Sequence, residues 1–287
     1  MQPVRIAAVR YLNTAPLVEG LDHVDGLTLL PTVPSRIAPM VLDGSADIGL
    51  ASIIDGADER LTLLPVGMIG CDGPTLTVRL FSTVPFDLVT ELCADTDSHT
   101  SVTLAQLILR HRFGVRPVVR AFDARERMAI DAGPAPTPTL DEAWPQTLLL
   151  IGDKVVTDSP PAVRYPHQMD LGEAWKEWTG LPFVYAMWMC RTRDLADQSL
   201  RERVETAAML LERQRLHNAT RLDWIVDARA PKARWPTDLA RRYVGSLLRY
   251  GVGEREREAV VRFLALAYEA GLSPSGDVAW ADAAVQR

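Results

Sequence analysis

The chain has 287 residues and a formal net charge of -6; 47% of it is hydrophobic, 24% charged and 7% aromatic. At about 150 residues per domain this leaves room for two cores or one large one, and the composition excludes disorder. The longest nearly uninterrupted apolar run, residues 181–190, is about half of the ~20 residues that a helix needs to cross a bilayer, so no membrane partner is expected.

Residues 5–9 read as a buried strand. The cap-forming Asn13 and then Pro16 precede the apolar Leu17, Val18 and Leu21, so a strand ends where a helix begins. A second strand is predicted over 27–33. Pro34 and Ser35 open a helix that runs to Leu42 and is closed by Gly44, and a third strand follows over 47–51. Further strands over 61–69 and 75–81, separated by the turn Cys71-Asp72-Gly73-Pro74, complete a pattern that predicts an α/β sheet. The pattern then restarts with a strand over 91–94, a polar segment over 95–101 and a helix carrying Leu104, Leu107, Ile108 and Phe113. Strands over 115–120 and 148–152 flank a segment, 131–146, in which Pro134, Pro136, Pro138 and Pro145 predict an irregular exposed loop. The amphipathic stretch 170–179, with Leu171, Trp175 and Trp178, leads into a strongly strand-like 181–189, whose Tyr185, Met187 and Trp188 read as core. From about Leu195 the strands stop. Helical spacing takes over in Val204, Ala208, Leu211 and Leu216, then in Leu239, Val244, Leu247 and Leu248, and last in Val260, Val261, Leu264 and Ala267 between Gly253 and Gly271. The expected organisation is two α/β lobes. Residues 1–83 with 184–287 form the first, including the C-terminal helices, and 84–183 form the second, with crossovers in the strands around Leu80 and Val184.

Cys71, Cys93 and Cys190 lie far apart and are odd in number, which excludes a disulfide framework and any CxxC motif. The five histidines, His23, His99, His111, His167 and His217, lack metal-ligand spacing, so no metal is expected. Net acidity, with no Lys/Arg cluster interleaved with aromatics, argues against nucleic acid. Lysine occurs only at Lys154, Lys176 and Lys232, which leaves few candidates for Schiff-base chemistry. The first 17 residues lack a basic segment followed by an apolar stretch and a cleavage site, and the expected location is the cytoplasm.

In α/β lobes, ligands lie beyond the carboxyl ends of the strands, where helix N-termini offer free N–H groups. The first polar residues after the strands are therefore the candidates. They are Tyr11, Asn13 and Thr14 after the first strand, Ser52 after the third, Ser82 at the first crossover, Ser98, Thr100 and Ser101 at the helix start of the second lobe, and Asp153 after Ile151. Such hydroxyls and amides suit a small, polar, anionic ligand held by directed hydrogen bonds. Each also fits a helix cap worth about 1 kcal/mol with no ligand at all. Asp153 serves equally as a turn residue. His99 fits either a solvent-facing position or, from its titration range, a carboxylate-binding or acid role.

Several strings carry a resemblance that composition could not. They are VRYLNTAPL from Val9, VPSRIAPMVLDGSADIGLASI from Val33, the CDGP turn leading to LFSTVP from Leu80, DTDSHTSVTL from Asp95, LLLIGD from Leu148 and DLGEAWKEWTGLPFVYAMW from Asp170. In this order, over nearly the whole chain, the sequence resembles the chorismate dehydratase family, which acts first in the futalosine route to menaquinone. The resemblance implies a type II periplasmic-binding-protein fold of two α/β lobes closing on a ligand. It also implies conversion of chorismate to 3-[(1-carboxyvinyl)oxy]benzoate with loss of water and no external cofactor, with an active-site asparagine at Asn13 and an active-site serine at Ser82. Aromatisation drives this reaction, so the protein must supply conformation, charge stabilisation and a proton for the leaving hydroxyl. A neutral amide is no general base, so Asn13 is expected to orient the substrate, whose own enolpyruvyl carboxylate would take the ring proton. Two other readings are a non-catalytic solute-binding protein, which the missing export signal disfavours, and the related enzyme of the same route that acts on a cyclised futalosine derivative. The latter typically carries a Ser-Thr-Cys-Pro-Asn-Asp-like string where Tyr-Leu-Asn-Thr-Ala-Pro stands here.

Overall fold

The computed structural model describes residues 3–95, 98–122 and 144–281. The chain enters through β1 (Val4–Ala8), makes a tight 3-10 turn (Leu12–Thr14) and the short α1 (Ala15–Val18), and returns through β2 (Leu27–Pro31), α2 (Pro34–Asp43) and β3 (Ile48–Ser52). α2 ends as its sequence predicts, with Gly44 in the left-handed conformation at φ 83°. β1, β2 and β3 are parallel neighbours. The fully buried β4 (Leu61–Cys71) then runs along the same sheet.

The first departure from the expected organisation comes next. β5 (Val78–Ser82) pairs antiparallel to β8 (Thr147–Ile151) and β9 (His167–Asp170), in a second sheet with β6 (Glu91–Asp95) and β7 (Val118–Phe122). The strand around Leu80 therefore belongs to the second lobe, and the chain crosses over at 72–77 rather than at 83. α3 (Thr100–Phe113) and α4 (Lys154–Thr157) belong to this part of the chain, and α5 (Leu171–Thr179) leads back to β10 (Phe183–Arg191). β10 lies antiparallel between β3 and β4, so the larger sheet contains the run β4-β10-β3-β1-β2.

The last third is built from α6 (Gln198–Ala219), α7 (Leu222–Arg229), α8 (Thr237–Arg242) and α9 (Glu254–Glu269). Strands do not stop at Leu195, as the spacing suggested. β11 (Leu248–Arg249) and β12 (Ala279–Trp280) both pair with β4. Two residues are too few to print a period-2 pattern, which is why the spacing hides them. Most of the proline-rich 131–146 segment lies outside the described residues.

One contiguous core runs from Ile37 and Val41 of α2 through Met187 and Met189 of β10 to Leu104, Trp175 and Phe263. The opposite face of the larger sheet is covered by Val204, Ala208 and Leu211 of α6, packed on Ile6, Ile48 and Trp188. Val226, Trp235 and Tyr243 of the C-terminal part form a separate cluster with Leu12, next to Asn13. In the smaller sheet, Leu149 of β8 faces one core and Leu148 and Leu150 another. Burial on both faces explains why this strand reads as an unbroken apolar run. No described helix is long and apolar enough to cross a membrane.

Candidate functional site

The two crossing points are pinned by one carboxylate. Asp170 is 4% exposed. It accepts hydrogen bonds from the backbone N–H of Gly172 (3.0 Å) and Glu173 (3.2 Å), capping α5, and from those of Thr75 (2.9 Å) and Leu76 (2.7 Å) in the outgoing crossover. Leu76 is held there at φ 72°, a conformation that is costly for a residue with a Cβ. Gly172 permits the close approach. A Cβ on it would press on Thr75 Oγ1 and lie 2.6 Å from both Cys71 Sγ and the Gly73 carbonyl oxygen.

Between the lobes, against this clamp, lies a cavity. Tyr11 and Asn13 enter it after β1, Ser52 at the end of β3, and Ser98, Thr100 and Ser101 at the start of α3. Thr75 and Thr77 enter from the crossover, Tyr185 from β10 and Tyr243 from the C-terminal part. The remainder is apolar, including Val9, Leu50, Ile69, Val78 and Ile151. Among the described lining residues every polar side chain is a hydroxyl or an amide. None is Asp, Glu, His, Lys or Arg.

Local geometry explains these placements. Neither the Leu12–Thr14 turn nor α1 takes a side-chain cap, so Asn13 does not serve as a helix cap. Its Oδ1 accepts the Thr14 hydroxyl at 3.1 Å. Ser98 does double duty, its Oγ accepting from the Ser101 N–H at 3.1 Å. Thr100 seats α3 on the first lobe, donating to the Tyr185 carbonyl (3.1 Å) and accepting from the Ile54 N–H (3.4 Å). At 14 residues, α3 is long enough for its N-terminus to favour an anion in the cavity.

Four of the sequence candidates lie elsewhere. Ser82 is fully buried off the cavity; its hydroxyl pairs with Thr147 Oγ1 at 3.0 Å and accepts from the Val84 N–H at 3.2 Å. The reason is strand direction. β5 is antiparallel to β8, so Val78 pairs with Ile151 at the cavity while Ser82 pairs with Thr147 at the far end, four residues or about 13 Å along the strand. The amino end of β5, not its carboxyl end, faces the ligand space. Thr14 is buried with its hydroxyl spent on Asn13. His99 turns its ring to Asp55, Nδ1 to Oδ1 at 3.0 Å, and this hydrogen bond raises its pKa against the opposing effect of burial. Asp153 lines an adjoining pocket with Arg10, Lys232 and Tyr11. Burial pushes its pKa up to about 6, with the Leu12 N–H and the neighbouring Trp235 indole and Lys154 acting in the opposite direction.

Four lining residues escape sequence reasoning. Thr75 and Thr77 follow the CDGP turn and could have been found only by knowing that β5 is antiparallel. Tyr185 sits in a strand whose pattern reads as pure core. Its hydroxyl turns inward to Thr75 Oγ1 at 2.7 Å, and Thr75 in turn bonds Cys71 Sγ at 3.1 Å. Burial pushes that thiol up to about 11, so it stays protonated. Tyr243 stands in a one-turn π-helix (Tyr243–Leu247) after α8, with nothing local to mark it. Its ring stacks on Trp235 (4.9 Å, 17°), and its hydroxyl bonds Thr77 Oγ1 at 2.6 Å.

Two α/β lobes joined by two crossings, with a cavity at the seam, define a periplasmic-binding-protein-like fold of type II. Protein AF1704 of Archaeoglobus fulgidus matches it with a TM-score of 0.68 at 17% identity, over 94% of this chain and 98% of that one. The alkanesulfonate-binding protein SsuA of Xanthomonas axonopodis pv. citri, solved bound to MOPS, matches with a TM-score of 0.62 at 13% identity, over 97% of each chain. At these identities the likeness is one of fold. The sequence carries the narrower assignment: the family model for menaquinone biosynthesis matches residues 4–269, and the chain belongs to that family. It is also 26% identical over 216 residues to the chorismate dehydratase of Thermus thermophilus, covering 70% of this chain and 74% of that protein.

Proposed function

We propose that the protein dehydrates chorismate to 3-[(1-carboxyvinyl)oxy]benzoate. The observation that carries this reading is the cavity itself, set between two lobes and lined by neutral donors with no ionised acid or base among its described side chains. A hydrolase or isomerase acting through a protein base would need such a group within reach of the reacting atom. Chorismate supplies its own. The proton on its ether-bearing ring carbon is vinylogous to the ring carboxylate, and the enolpyruvyl carboxylate, folded over the ring, can remove it. Electrons then delocalise towards the ring carboxylate, the adjacent hydroxyl departs and the ring becomes aromatic. The protein's part is to hold the folded conformer and to stabilise the charge developing on the ring carboxylate with directed hydrogen bonds.

The α3 start, with Ser98, Thr100 and Ser101, supports binding of one carboxylate, and Asn13 with Tyr11 and Ser52 orients the remainder. The kinship with a chorismate dehydratase and the family's menaquinone role support the choice of substrate.

Incubation of extensively chelated protein with chorismate, followed by mass spectrometry, tests the reading. The expected product is lighter than chorismate by one water. Folded protein that leaves chorismate unchanged, or binds it reversibly without turnover as a solute-binding protein would, overturns it. An enolpyruvyl methyl ester of chorismate should bind but fail to react, because the base has been blocked.

A further inference from the structure

A dehydration that takes its base from the substrate still needs a proton for the departing hydroxyl, and a buried pair of hydroxyls on the cavity wall can supply it. Thr77 Oγ1 and the Tyr243 hydroxyl lie 2.6 Å apart, with both residues fully or almost fully buried and both lining the cavity. Two hydroxyls sharing one hydrogen bond retain one hydrogen between them. Neither hydroxyl makes a further side-chain hydrogen bond among the described residues.

Either oxygen can be the donor in that bond. The phenol is far more acidic than the aliphatic hydroxyl, so whichever oxygen holds the free hydrogen, with Thr77 passing the proton on if it faces the substrate, the proton lost to the cavity is finally that of Tyr243. Tyr185, another phenol of the cavity, is different, its hydroxyl being turned inward to Thr75 and the Cys71 thiol. Position supports the same distinction. Tyr243 is fixed by its stack on Trp235 and by the π-turn, a helix irregularity that occurs often at functional sites.

We propose that Tyr243 is a catalytic residue of the dehydration, donating its hydroxyl proton to the hydroxyl that leaves the substrate ring; this role rests on the reaction proposed above. The step balances. The enolpyruvyl carboxylate takes the C–H proton, the ring electrons expel the hydroxyl as the C–O bond breaks, and the leaving oxygen takes the Tyr243 proton to depart as water. The enolpyruvyl carboxylic acid then returns its proton to the phenolate, restoring both groups. Thr77, 2.6 Å from the phenol oxygen, donates to it once the proton has left and stabilises the transient phenolate. Burial holds the Tyr243 phenol well above its ordinary pKa, so it stays protonated until the leaving oxygen draws the proton away.

Tyr243→Phe removes the hydroxyl and keeps the ring that packs on Trp235. It should lower kcat on chorismate by about a hundredfold or more, the usual scale of a lost general acid, while product affinity stays within about threefold. The discriminating substrate is the chorismate analogue with fluorine in place of the ring hydroxyl, since fluoride departs without needing a proton. On this analogue Tyr243→Phe and the wild type should turn over at similar rates. Thr77→Val, which removes one donor from the phenol oxygen, should lose less on chorismate and nothing on the fluoro analogue. Equal slowing on both substrates in either variant means distortion of the site and overturns the proposal, as does full activity of Tyr243→Phe on chorismate. A wild-type protein inactive on chorismate would remove the reaction and this role together, whereas an active wild type with an unaffected Tyr243→Phe removes the role alone.

Discussion

Replacement of Asp170 by alanine tests whether one carboxylate holds the lobes in register. The side chain is buried, caps α5 and accepts four backbone N–H groups, two of them from the outgoing crossover. Loss of the cap alone costs about 1 kcal/mol. The Thr75 and Leu76 N–H groups lose a charged acceptor, and at about 1–2 kcal/mol for each donor left poorly satisfied the total comes to roughly 3–5 kcal/mol. In a chain of this length about 2 °C accompanies each kcal/mol, so the thermal midpoint should fall by roughly 6–10 °C. Asp170→Asn keeps one acceptor oxygen and should lose about half as much. Scanning calorimetry reads the first effect, and titration with the dehydration product reads the second, because Thr75 and Thr77 line the cavity from the released segment. A midpoint within about 2 °C of wild type for Asp170→Ala would show that the crossover is held by packing and not by this clamp.

Other consequences can be checked in parallel. Asn13→Ala should lower kcat/KM at least about tenfold, or 1.4 kcal/mol. Ser82→Ala should leave it within about twofold while costing about 1 kcal/mol of stability, since its hydrogen bonds lie off the cavity; a tenfold loss of activity in a folded Ser82→Ala would return that residue to the site. The Asp153 pKa is raised from 3.8 to about 6, so the fold favours the protonated carboxyl. This contribution is complete below about pH 3.8 and is lost as pH rises through about 6. Asp153→Asn should therefore stabilise the protein at pH 7.5 by about 1–2 kcal/mol, allowing for solvent screening of a partly exposed group, with little change near pH 4 in paired denaturation curves. Gly172→Ala forces a methyl group against the Gly73 carbonyl and should cost about 1–3 kcal/mol; a neutral result in the same melts would mean that the crossover yields freely.

Much of the fold is legible along the chain because local rules suffice for it. α2 is marked by Pro34 at its start and Gly44 at its end, and α9 by its apolar stripe between Gly253 and Gly271. The restart of the pattern after residue 90 announces the second sheet. In the same way, Asn13, Ser52, Ser98, Thr100 and Ser101 are candidates because they follow strands or open helices, and the structure brings all five to one cavity. Ser82 shows where the local rule fails. Its position after an apolar run is identical in kind to that of Ser52, but β3 is parallel to its neighbour β1 whereas β5 is antiparallel to both of its neighbours. Pairing direction is a property of two segments, so no pattern within one of them encodes it, and reversing it carries the serine about 13 Å from the ligand space. Tyr243 is the converse case, a residue in a helical pattern some 230 positions after Asn13 that reaches the site because α7, α8 and the π-turn pack over Leu12. The sequence by itself determined which of the longer segments become strands and helices, since periodicity and capping act over a few residues. The tertiary structure alone decided which strand ends and which buried hydroxyls meet, because contacts that close over such separations depend on how whole lobes pack.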